Sequence, residues 1–365
     1  MVCLEPELST SHLTSGAIFF DAHVHSARFV LENIFDAARN GAIVANYVHA
    51  KRLGPKVVNL HDSLTGRSFE VHAKKIVDAT GPWADEDSLR LVRGSHIVVP
   101  RLNRSDNAIA YFEPSGRIVF VIPWGERGDL SLVGTTDIDH TAGPENVRIS
   151  PDEVDYLLGI VKRLYPHRGD LSPISTFSSL RPLVRDHSSS PTKASRGHRI
   201  WSSADGVLHV SGGKYTTYRA MSEEAVDKIA PELAHIHETA VTPLGGNSRE
   251  RIDRLLAAAP EHGLTEADMV GLIGLYGVQT DLLLSFLPTN EGALSRLERA
   301  RIAFAVEHEM AQKLPDLMFV STYWGYEAHW TPDTLEPYAA EIASRLGWDV
   351  DRMRHEIELC RAEVR

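Results

Sequence analysis

The sequence has few cysteines and no long apolar run. Only two cysteines occur in 365 residues, Cys3 and Cys360, near opposite ends of the chain. No cysteine pair has the spacing of a metal or redox site, so no disulfide framework is expected. No segment reaches the ~18 consecutive apolar residues of a membrane-spanning helix, and no basic stretch followed by an apolar one suggests a signal peptide. These absences predict a cytoplasmic protein, soluble or peripheral on a membrane.

The sequence also lacks an excess of basic residues. Its 38 Lys and Arg stand against 49 Asp and Glu, a formal net charge of −11. General nucleic-acid binding needs a basic face, so no nucleic-acid partner is expected. A negative net charge of the whole chain is still compatible with a local basic pocket that binds an anionic substrate. With 43% apolar residues the chain is long enough to bury a core in two or three domains.

Two glycine-rich phosphate-binding motifs are absent as well. No Gly-x-Gly-x-x-Gly follows a strand, and Gly271, Gly274 and Gly277 lie in an apolar helical stretch where helix packing explains them. Lys214 follows two glycines, but Leu208 and Tyr215 occupy positions where a phosphate loop needs glycine and a hydroxyl residue. A phosphate-loop nucleotide site is therefore excluded.

The residue patterns divide the chain into four parts. Helical spacing at residues 27–39 precedes short strand patterns, including 42–48 and a buried run at 75–79. Short strands separated by turn residues then predict an antiparallel sheet, and Ser150-Pro151 begins a helix. After a linker at Pro243-Leu244-Gly245-Gly246 the pattern is helical. The predicted divisions are 1–91, 92–205, 206–235 and 243–365.

Two glycine turns are the strongest candidates for a ligand site. Ala79-Thr80-Gly81 and Gly212-Gly213-Lys214 each follow a short strand, and a helix follows the second turn. Such a turn lets the backbone approach a flat or anionic ligand, and the N–H groups of the helix start face it. The alternative is that both are ordinary loop turns.

Three basic side chains are candidates for binding an anionic substrate. Arg181 lies in an extended segment, Lys214 at the second glycine turn, and His96 at the start of an apolar strand. Arginine suits bidentate phosphate binding, and histidine can take a hydroxyl proton near neutral pH. Taken alone, such a residue is more often a surface charge or a hydrogen-bonded histidine.

The His-x-His pair at His23 and His25 is typical of metal-dependent amidohydrolases. Such a site also needs later ligands at the ends of successive barrel strands. The later sequence predicts antiparallel strands and a helical region instead. We therefore interpret the pair as a polar turn before a helix and expect no metal.

Long segments resemble the FAD-dependent glycerol-3-phosphate dehydrogenase family. The resemblance extends from about Phe20 to the C-terminus and is weaker in the helical part, where it rests on AVEHEMAQ (305–312). The matching segments, in family order, are DATGPW (78–83), RGSHIVVPR (93–101), RIVFVIPW (117–124), VGTTDIDH (133–140), SSLRPLV (178–184) and VSGGKYTTYR (210–219).

The resemblance implies an α/β and α+β fold: a remnant FAD-binding domain, an antiparallel cap over the substrate, and a C-terminal all-α domain. It implies oxidation of sn-glycerol 3-phosphate to dihydroxyacetone phosphate, with the hydride going to flavin N5 and the electrons to a quinone or to oxygen. His96, Arg181 and Lys214 are the implied catalytic residues. The implied FAD-binding residues are Ala79, Thr80, Gly81, Gly212, Gly213, Lys214, Thr216 and Thr217.

The resemblance also allows a homodimer and a peripheral contact with the inner face of the cytoplasmic membrane. The sequence departs from the family at three places. The strand, glycine-rich turn and helix that hold the ADP half of FAD have no counterpart. His25-Ser26 replace acidic residues, and Phe319-Val320-Ser321 replace basic ones. The alternatives to an active flavoenzyme are a truncated fragment that binds FAD poorly and a non-enzymatic interaction module.

Overall fold

A computed structural model describes residues 4–11, 13–84, 89–145, 147–185, 194–233, 238–244 and 248–363. Cys3 and the Gly245-Gly246 part of the predicted linker lie outside these residues. The strands are β1 (Val48–Gly54), β2 (Val57–Asp62), β3 (Ser68–His72), β4 (Val77–Asp78), β5 (Leu89–Pro100), β6 (Ile109–Phe112), β7 (Ile118–Trp124), β8 (Leu130–Gly134), β9 (Ile138–Asp139), β10 (Ser175–Val184), β11 (His198–Ser202) and β12 (Leu208–Gly212). The helices are α1 (Ser26–Arg39), α2 (Pro151–Leu164), α3 (Tyr218–Ile229), α4 (Arg249–Ala258), α5 (Glu266–Tyr276), α6 (Thr280–Leu284), α7 (Arg296–Glu307), α8 (Pro332–Leu346) and α9 (Val350–Glu363).

The largest sheet is antiparallel, with strand order β10-β5-β8-β7-β6 and β9 beside β5. Alternate residues of a strand point to opposite faces. Ile97, Val99 and Val133 therefore face α2, where Leu157 and Ile160 complete a buried core. The helix begins as predicted, because the Ser150 hydroxyl accepts a hydrogen bond from the Glu153 amide and Pro151 occupies the first helical position.

Two smaller sheets are formed by strands that precede β5 or follow β10 in the sequence. Strands β1, β2 and β3 form a meander, and β11, β12 and β4 form a second sheet in which β12 and β4 run parallel. Helix α3 packs on this second sheet through Ala225, which contacts Ile200 and Leu208. Among the described strands β4 pairs only with β12, and Val77 on β4 keeps 45% of its surface exposed.

The C-terminal part is helical, as predicted, and α7 lies at its centre. Ala300 and Phe304 of α7 pack in one apolar cluster with α5 and α6, whereas Ile302 and Ala305 pack in a second cluster with α8 and α9. Apolar residues on two sides of α7 thus let it pack against both clusters. The apolar stretch Glu266–Leu284 has the length and composition of a membrane-crossing helix. It is divided into α5 and α6, and its apolar side chains contribute to the first cluster.

The fold class is confirmed: a partial α/β unit, an antiparallel sheet covered by a helix, and a helical C-terminal part. The division of the chain at residues 91, 205 and 243 stays a prediction. One predicted strand, 42–48, is wrong, because β1 begins only at Val48. Tyr47 adopts φ 55°, its hydroxyl donates to Asp316 Oδ1 at 2.6 Å, and the Asn46 side-chain amide donates to Met310 O at 2.8 Å. Contacts with the helical part thus replace strand pairing in this segment.

The large sheet and the helical part are joined by an ionic contact between a buried arginine and an exposed glutamate. Arg301 on α7 is 4% exposed, donates to Glu126, and stacks over the Trp324 ring at 4.3 Å. Glu327 lies beside this contact, and its Oε1 accepts a hydrogen bond from the Glu126 amide at 3.1 Å. Burial, together with the charge of Glu126, raises the pKa of Glu327 to about 7.

Replacing Glu327 with glutamine should change how stability depends on pH. The folded chain binds the Glu327 proton more tightly than the unfolded chain, so this group stabilises the fold at low pH. That contribution is lost as pH rises from the unfolded pKa towards about 7. Thermal unfolding followed by circular dichroism should therefore show Glu327→Gln gaining Tm relative to the native chain between pH 5 and pH 8. Glu336→Gln, which changes an exposed carboxylate on α8, is the control, and an equal pH trend in both variants contradicts the prediction.

Candidate flavin and substrate site

The turn after β12 can only be built from glycine. Gly212 and Gly213 have φ values of 73° and 90°, which L-residues rarely adopt. A Cβ at Gly212 would lie 2.7 Å from Gly197 O, and one at Gly213 would lie 2.3 Å from Met221 Sδ. A short 3-10 turn at Tyr215–Thr217 leads directly into α3. The backbone thus lies open to a ligand at the start of a helix, where N–H groups carry partial positive charge.

The second predicted turn lies at the same edge, because β4 and β12 are parallel. The Asp78 carboxylate accepts hydrogen bonds from the Thr80 amide at 3.1 Å and the Thr80 hydroxyl at 2.7 Å. Its other oxygen lies 3.2 Å from His209 Nδ1, which ties the turn to β12. Gly81 continues the chain at φ 60°. Asp78 therefore fixes the shape of the turn, and His209 fixes its position beside the glycine turn.

A cleft of about 1060 Å³ opens between these turns and β10. Arg181 and Lys214 both line it, although 33 residues separate them in the sequence. Its walls include the apolar side chains of Val77, Val210 and Val226. Other predicted residues that line the cleft are Ala79, Gly212, Gly213 and Thr216.

The remaining predicted residues lie around the cleft. Thr217 lines a neighbouring cavity of about 490 Å³, to which Lys214 also contributes. Thr80 and Gly81 belong to the turn after β4 but do not line either cavity, and neither does His96. The structure therefore brings the two predicted cations to one cavity and places the predicted base outside its lining.

Arg181 is held on the sheet face that carries His96. Its guanidinium donates to Thr135 Oγ1 at 3.0 Å, to Thr136 O at 3.3 Å and to Asp137 Oδ1 at 2.9 Å. A Cβ at Gly94 would lie 2.3 Å from Arg181 Nη1, so the guanidinium occupies the space of a missing side chain. Burial lowers the pKa of Arg181, the Asp137 carboxylate opposes this shift, and Arg196 adds to it.

His96 is packed by its neighbours on both sides. Gly134 lies opposite it on β8, where a Cβ would be 2.2 Å from His96 Cδ2, and Phe177 on β10 stacks on the imidazole at 5.0 Å between ring centroids. Burial, and then the charge of Arg181, lowers the pKa of His96 to about 4. The imidazole is therefore neutral at neutral pH, and it is a weaker base than an exposed histidine. Its Nδ1 is buried and has no hydrogen-bond partner within the part of the chain that the structure describes.

Several residues around Arg181 were missed by the sequence analysis. Arg196 lines both cavities and lies 3.9 Å from the Asp137 carboxylate, which also binds Arg181. No periodicity marks Arg196 or Asp137. Gly94 and Gly134 did carry a signal, because glycine inside a strand often marks the close approach of another group.

The residues present fit the ring end of FAD. The cleft offers two glycine turns, a helix start and apolar walls, and this suits a flat ring whose pyrimidine edge accepts hydrogen bonds. Side chains at Gly212 and Gly213 would collide with Gly197 O and Met221 Sδ, so the turn itself requires glycine at both positions. For the diphosphate of FAD, the sequence contains no Gly-x-Gly-x-x-Gly turn after a strand.

The His23-His25 pair lies elsewhere, between the large sheet and the helical part. The His25 ring packs edge-on against Tyr323 at 4.9 Å and lies 5.8 Å from Trp124. Burial, with a smaller effect from His23, lowers the pKa of His25 to about 4. Within the described residues no three His, Cys, Asp or Glu side chains are grouped as metal ligands. His25 therefore has the surroundings of a packed aromatic residue.

Two family models match the chain. The model described as FAD dependent oxidoreductase matches residues 3–227, and the C-terminal domain of alpha-glycerophosphate oxidase matches residues 237–353. The first match covers more than half of the chain. The boundary between the two matches lies close to the predicted linker at Pro243.

Individual relatives agree with these matches. The aerobic glycerol-3-phosphate dehydrogenase of Escherichia coli (strain K12) is 31% identical over 88% of this chain and 69% of the relative. The alpha-glycerophosphate oxidase of Enterococcus casseliflavus is 27% identical over 97% of this chain and 72% of the relative. A solved glycerol-3-phosphate dehydrogenase from Bacillus halodurans, complexed with FAD, superposes with a TM-score of 0.85 at 25% identity, covering 99% of this chain and 77% of the other.

Replacing Gly94 with alanine should weaken anion binding in the cleft. The new Cβ would overlap the Arg181 guanidinium, which must then leave the Thr135–Asp137 loop. Charge-assisted hydrogen bonds contribute about 1.5–3 kcal/mol each, so the affinity for inorganic phosphate should fall about tenfold or more in isothermal titration calorimetry. Gly143→Ala, at a position with no atom within 4 Å of the new Cβ, is the control. Equal phosphate affinity in the two variants would show that Arg181 does not bind the anion.

Proposed function

The chain belongs to the family of FAD-dependent glycerol-3-phosphate dehydrogenases, and on that premise we propose that it oxidises sn-glycerol 3-phosphate to dihydroxyacetone phosphate. One observation carries the proposal: Arg181, Arg196 and Lys214 line the same cleft as the glycine turn after β12. Three cations beside a surface that suits a flat ring form a site for a phosphorylated substrate.

FAD, when bound, would accept the two electrons and the hydrogen that leave the substrate carbon. The residues that would hold its ring are Ala79, Gly212, Gly213 and Thr216, which line the cleft, together with Lys214. Thr80, Gly81 and Thr217 support the two turns. The start of α3 would face the ring with its N–H groups and stabilise negative charge there.

The cations would fix the substrate by its phosphate. Arg181 presents a planar fork of N–H donors, and Asp137 together with Thr135 already holds that fork in place. Arg196 shares the Asp137 carboxylate, and Lys214 approaches from the glycine turn. A side chain that is already fixed by hydrogen bonds loses little rotamer freedom on binding. These groups would therefore position the substrate at small entropic cost.

His96 would act as the base. Oxidation of the C2 alcohol forms a carbonyl, so the hydroxyl proton must be transferred to an acceptor. His96 is neutral at neutral pH, and its buried Nδ1 lacks a partner among the described residues. We assign proton acceptance to the His96 imidazole, which lies on the same sheet face as Arg181, and orientation of the substrate oxygens to Arg181 and Lys214.

The electron acceptor, location and assembly belong to the proposal as well. We propose a quinone as acceptor, with oxygen as the alternative because one relative is named an oxidase. A quinone acceptor places the chain in the cytoplasm and peripherally on the inner face of the membrane. The cysteine content supports a reducing compartment. A homodimer is compatible with this arrangement.

A second candidate is a chain that binds FAD poorly and acts at most as an interaction module. The observation that favours it is the edge of β4, for which β12 is the only partner among the described strands. An unpaired strand edge is a template for another chain.

The visible absorption spectrum of the purified chain, with FAD added and excess removed, separates the two candidates. The proposed enzyme should show a protein-bound flavin band that bleaches when glycerol 3-phosphate is added without oxygen. Inorganic phosphate at the same concentration is the control for effects of anion binding alone. A chain without a flavin band after FAD addition would be the weakly binding second candidate.

Substitutions of His96 and Arg181 should separate catalysis from binding. His96→Ala should lower kcat by about 10²–10⁴-fold, the usual contribution of a general base. Arg181→Ala should raise KM about tenfold or more, because it removes charge-assisted bonds to the phosphate. His49→Ala on β1 and Arg249→Ala on α4 remove exposed side chains and serve as controls in steady-state assays. Turnover near that of the controls would refute these roles.

A further inference from the structure

Glu153 carries a dense set of hydrogen bonds for a single buried carboxylate. It lies in the first turn of α2, and its side chain is 1% exposed. A carboxylate loses its hydration on burial, so its oxygens need donors from the protein. Burial on its own would raise the pKa of Glu153, but bonds from Thr136, Ser150, Ser95 and Arg93 more than offset this and lower it.

The two oxygens of Glu153 serve different parts of the structure. Oε2 accepts from the Ser150 amide and hydroxyl, both at 3.0 Å, and from Arg93 Nη2 at 2.6 Å. The Ser150 bonds complete the capping box of α2. Oε1 accepts from the Ser95 hydroxyl at 2.7 Å and the Thr136 hydroxyl at 2.6 Å. Oε2 therefore joins the start of α2 to Arg93 of β5, and Oε1 joins Ser95 of β5 to the loop after β8.

The loop after β8 also supplies the hydrogen-bond acceptors of Arg181. Thr135 Oγ1, Thr136 O and Asp137 Oδ1 all accept hydrogen bonds from the Arg181 guanidinium. Thr136 is 1% exposed and bonds to both residues. Its hydroxyl donates to Glu153, and its carbonyl accepts from Arg181. Its hydroxyl also accepts from the Ser95 amide at 3.0 Å, which pins the loop to β5 next to His96.

The contacts of Glu153 and those of Arg181 lie on opposite faces of the large sheet. Ser95 and Ser178, paired across β5 and β10 with hydroxyls 2.7 Å apart, belong to the face of Glu153. Side chains alternate along a strand, so His96 on β5 and Arg181 on β10 point to the opposite face, which faces the cleft. Thr136 connects the two faces directly, because its hydroxyl bonds to Glu153 and its carbonyl bonds to Arg181.

We propose that Glu153 is a positioning residue which, through the Thr136 hydroxyl, fixes the Thr135–Asp137 loop and so holds Arg181 ready to bind a phosphate. The inference deepens the proposed function and rests on it for the role of Arg181. Glu153 lies across the sheet from the cleft and touches neither substrate nor cofactor. The competing explanation is that Glu153 only caps α2, in which case its Oε1 bonds are incidental to the cleft.

Two variants that each remove one donor from the same carboxylate separate these explanations. Thr136→Val removes the link towards Arg181, whereas Ser150→Ala removes the capping hydroxyl and leaves the loop intact. We expect Thr136→Val to raise the Kd for inorganic phosphate about tenfold, the size of one charge-assisted bond. Ser150→Ala should lower Tm and leave that Kd within twofold of the native value. Thr136→Ser, which restores the hydroxyl, should recover the native Kd.

The readout is isothermal titration calorimetry with inorganic phosphate on the full chain, with Arg181→Ala as the reference for lost binding. Thr136→Ala is a second variant without the hydroxyl, in case valine is not accommodated beside the carboxylate. Equal Kd values for the Thr136 variants and Ser150→Ala would overturn the inference, and so would failure of Thr136→Ser to recover binding. Phosphate binding requires no flavin or turnover. A chain that follows this pattern but never oxidises glycerol 3-phosphate would refute the proposed function and support the positioning role.

Discussion

The placement of the Arg181 guanidinium is the constraint on which the cleft depends. A buried cation needs several acceptors, and the loop after β8 supplies three of them, from Thr135, Thr136 and Asp137. It also needs space on a closely packed sheet, and Gly94 provides that space by having no side chain. Because Asp137 lies near Arg196 as well, the carboxylate that holds one cation limits the repulsion between the two.

This constraint explains why the large sheet has two unlike faces. The face towards α2 is apolar and closely packed, apart from the hydrogen-bonded Glu153 with its Ser95 and Ser178 neighbours. The face towards the cleft has glycines at 94 and 134 where side chains would otherwise pack, and Arg181 and His96 fill those spaces. The rigid apolar face thus supports the polar one, and loss of order on the α2 side should be transmitted to the cations through Thr136.

Local signals in the sequence predicted the parts of the site that depend on local backbone shape. The glycine turn at 212–214 and the capping box at Ser150 are such cases, because positive φ and a helix start each demand particular residue types. Arg196 and Asp137 were not predictable in this way, since only tertiary folding brings them to Arg181. The predicted strand at 42–48 failed for the same reason: Asn46 and Tyr47 bond to Met310 and Asp316, which follow them by more than 260 residues.

One departure from the family pattern, at His25-Ser26, lies against the helical part of the chain. The resemblance places acidic residues at His25-Ser26 and basic ones at Phe319-Val320-Ser321, and here His25 packs against Tyr323, just beyond the second segment. Burial keeps His25 neutral at neutral pH, and the Tyr323 hydroxyl accepts a hydrogen bond from the Ala27 amide at 2.9 Å.

The contact between the start of α1 and the helical part rests on aromatic packing of His25 and on the hydrogen bond from Ala27 to Tyr323. An ionic link between these two regions is provided by Arg28 of α1, which binds Glu309. Arg301 and Glu126 form a separate link between the helical part and the large sheet.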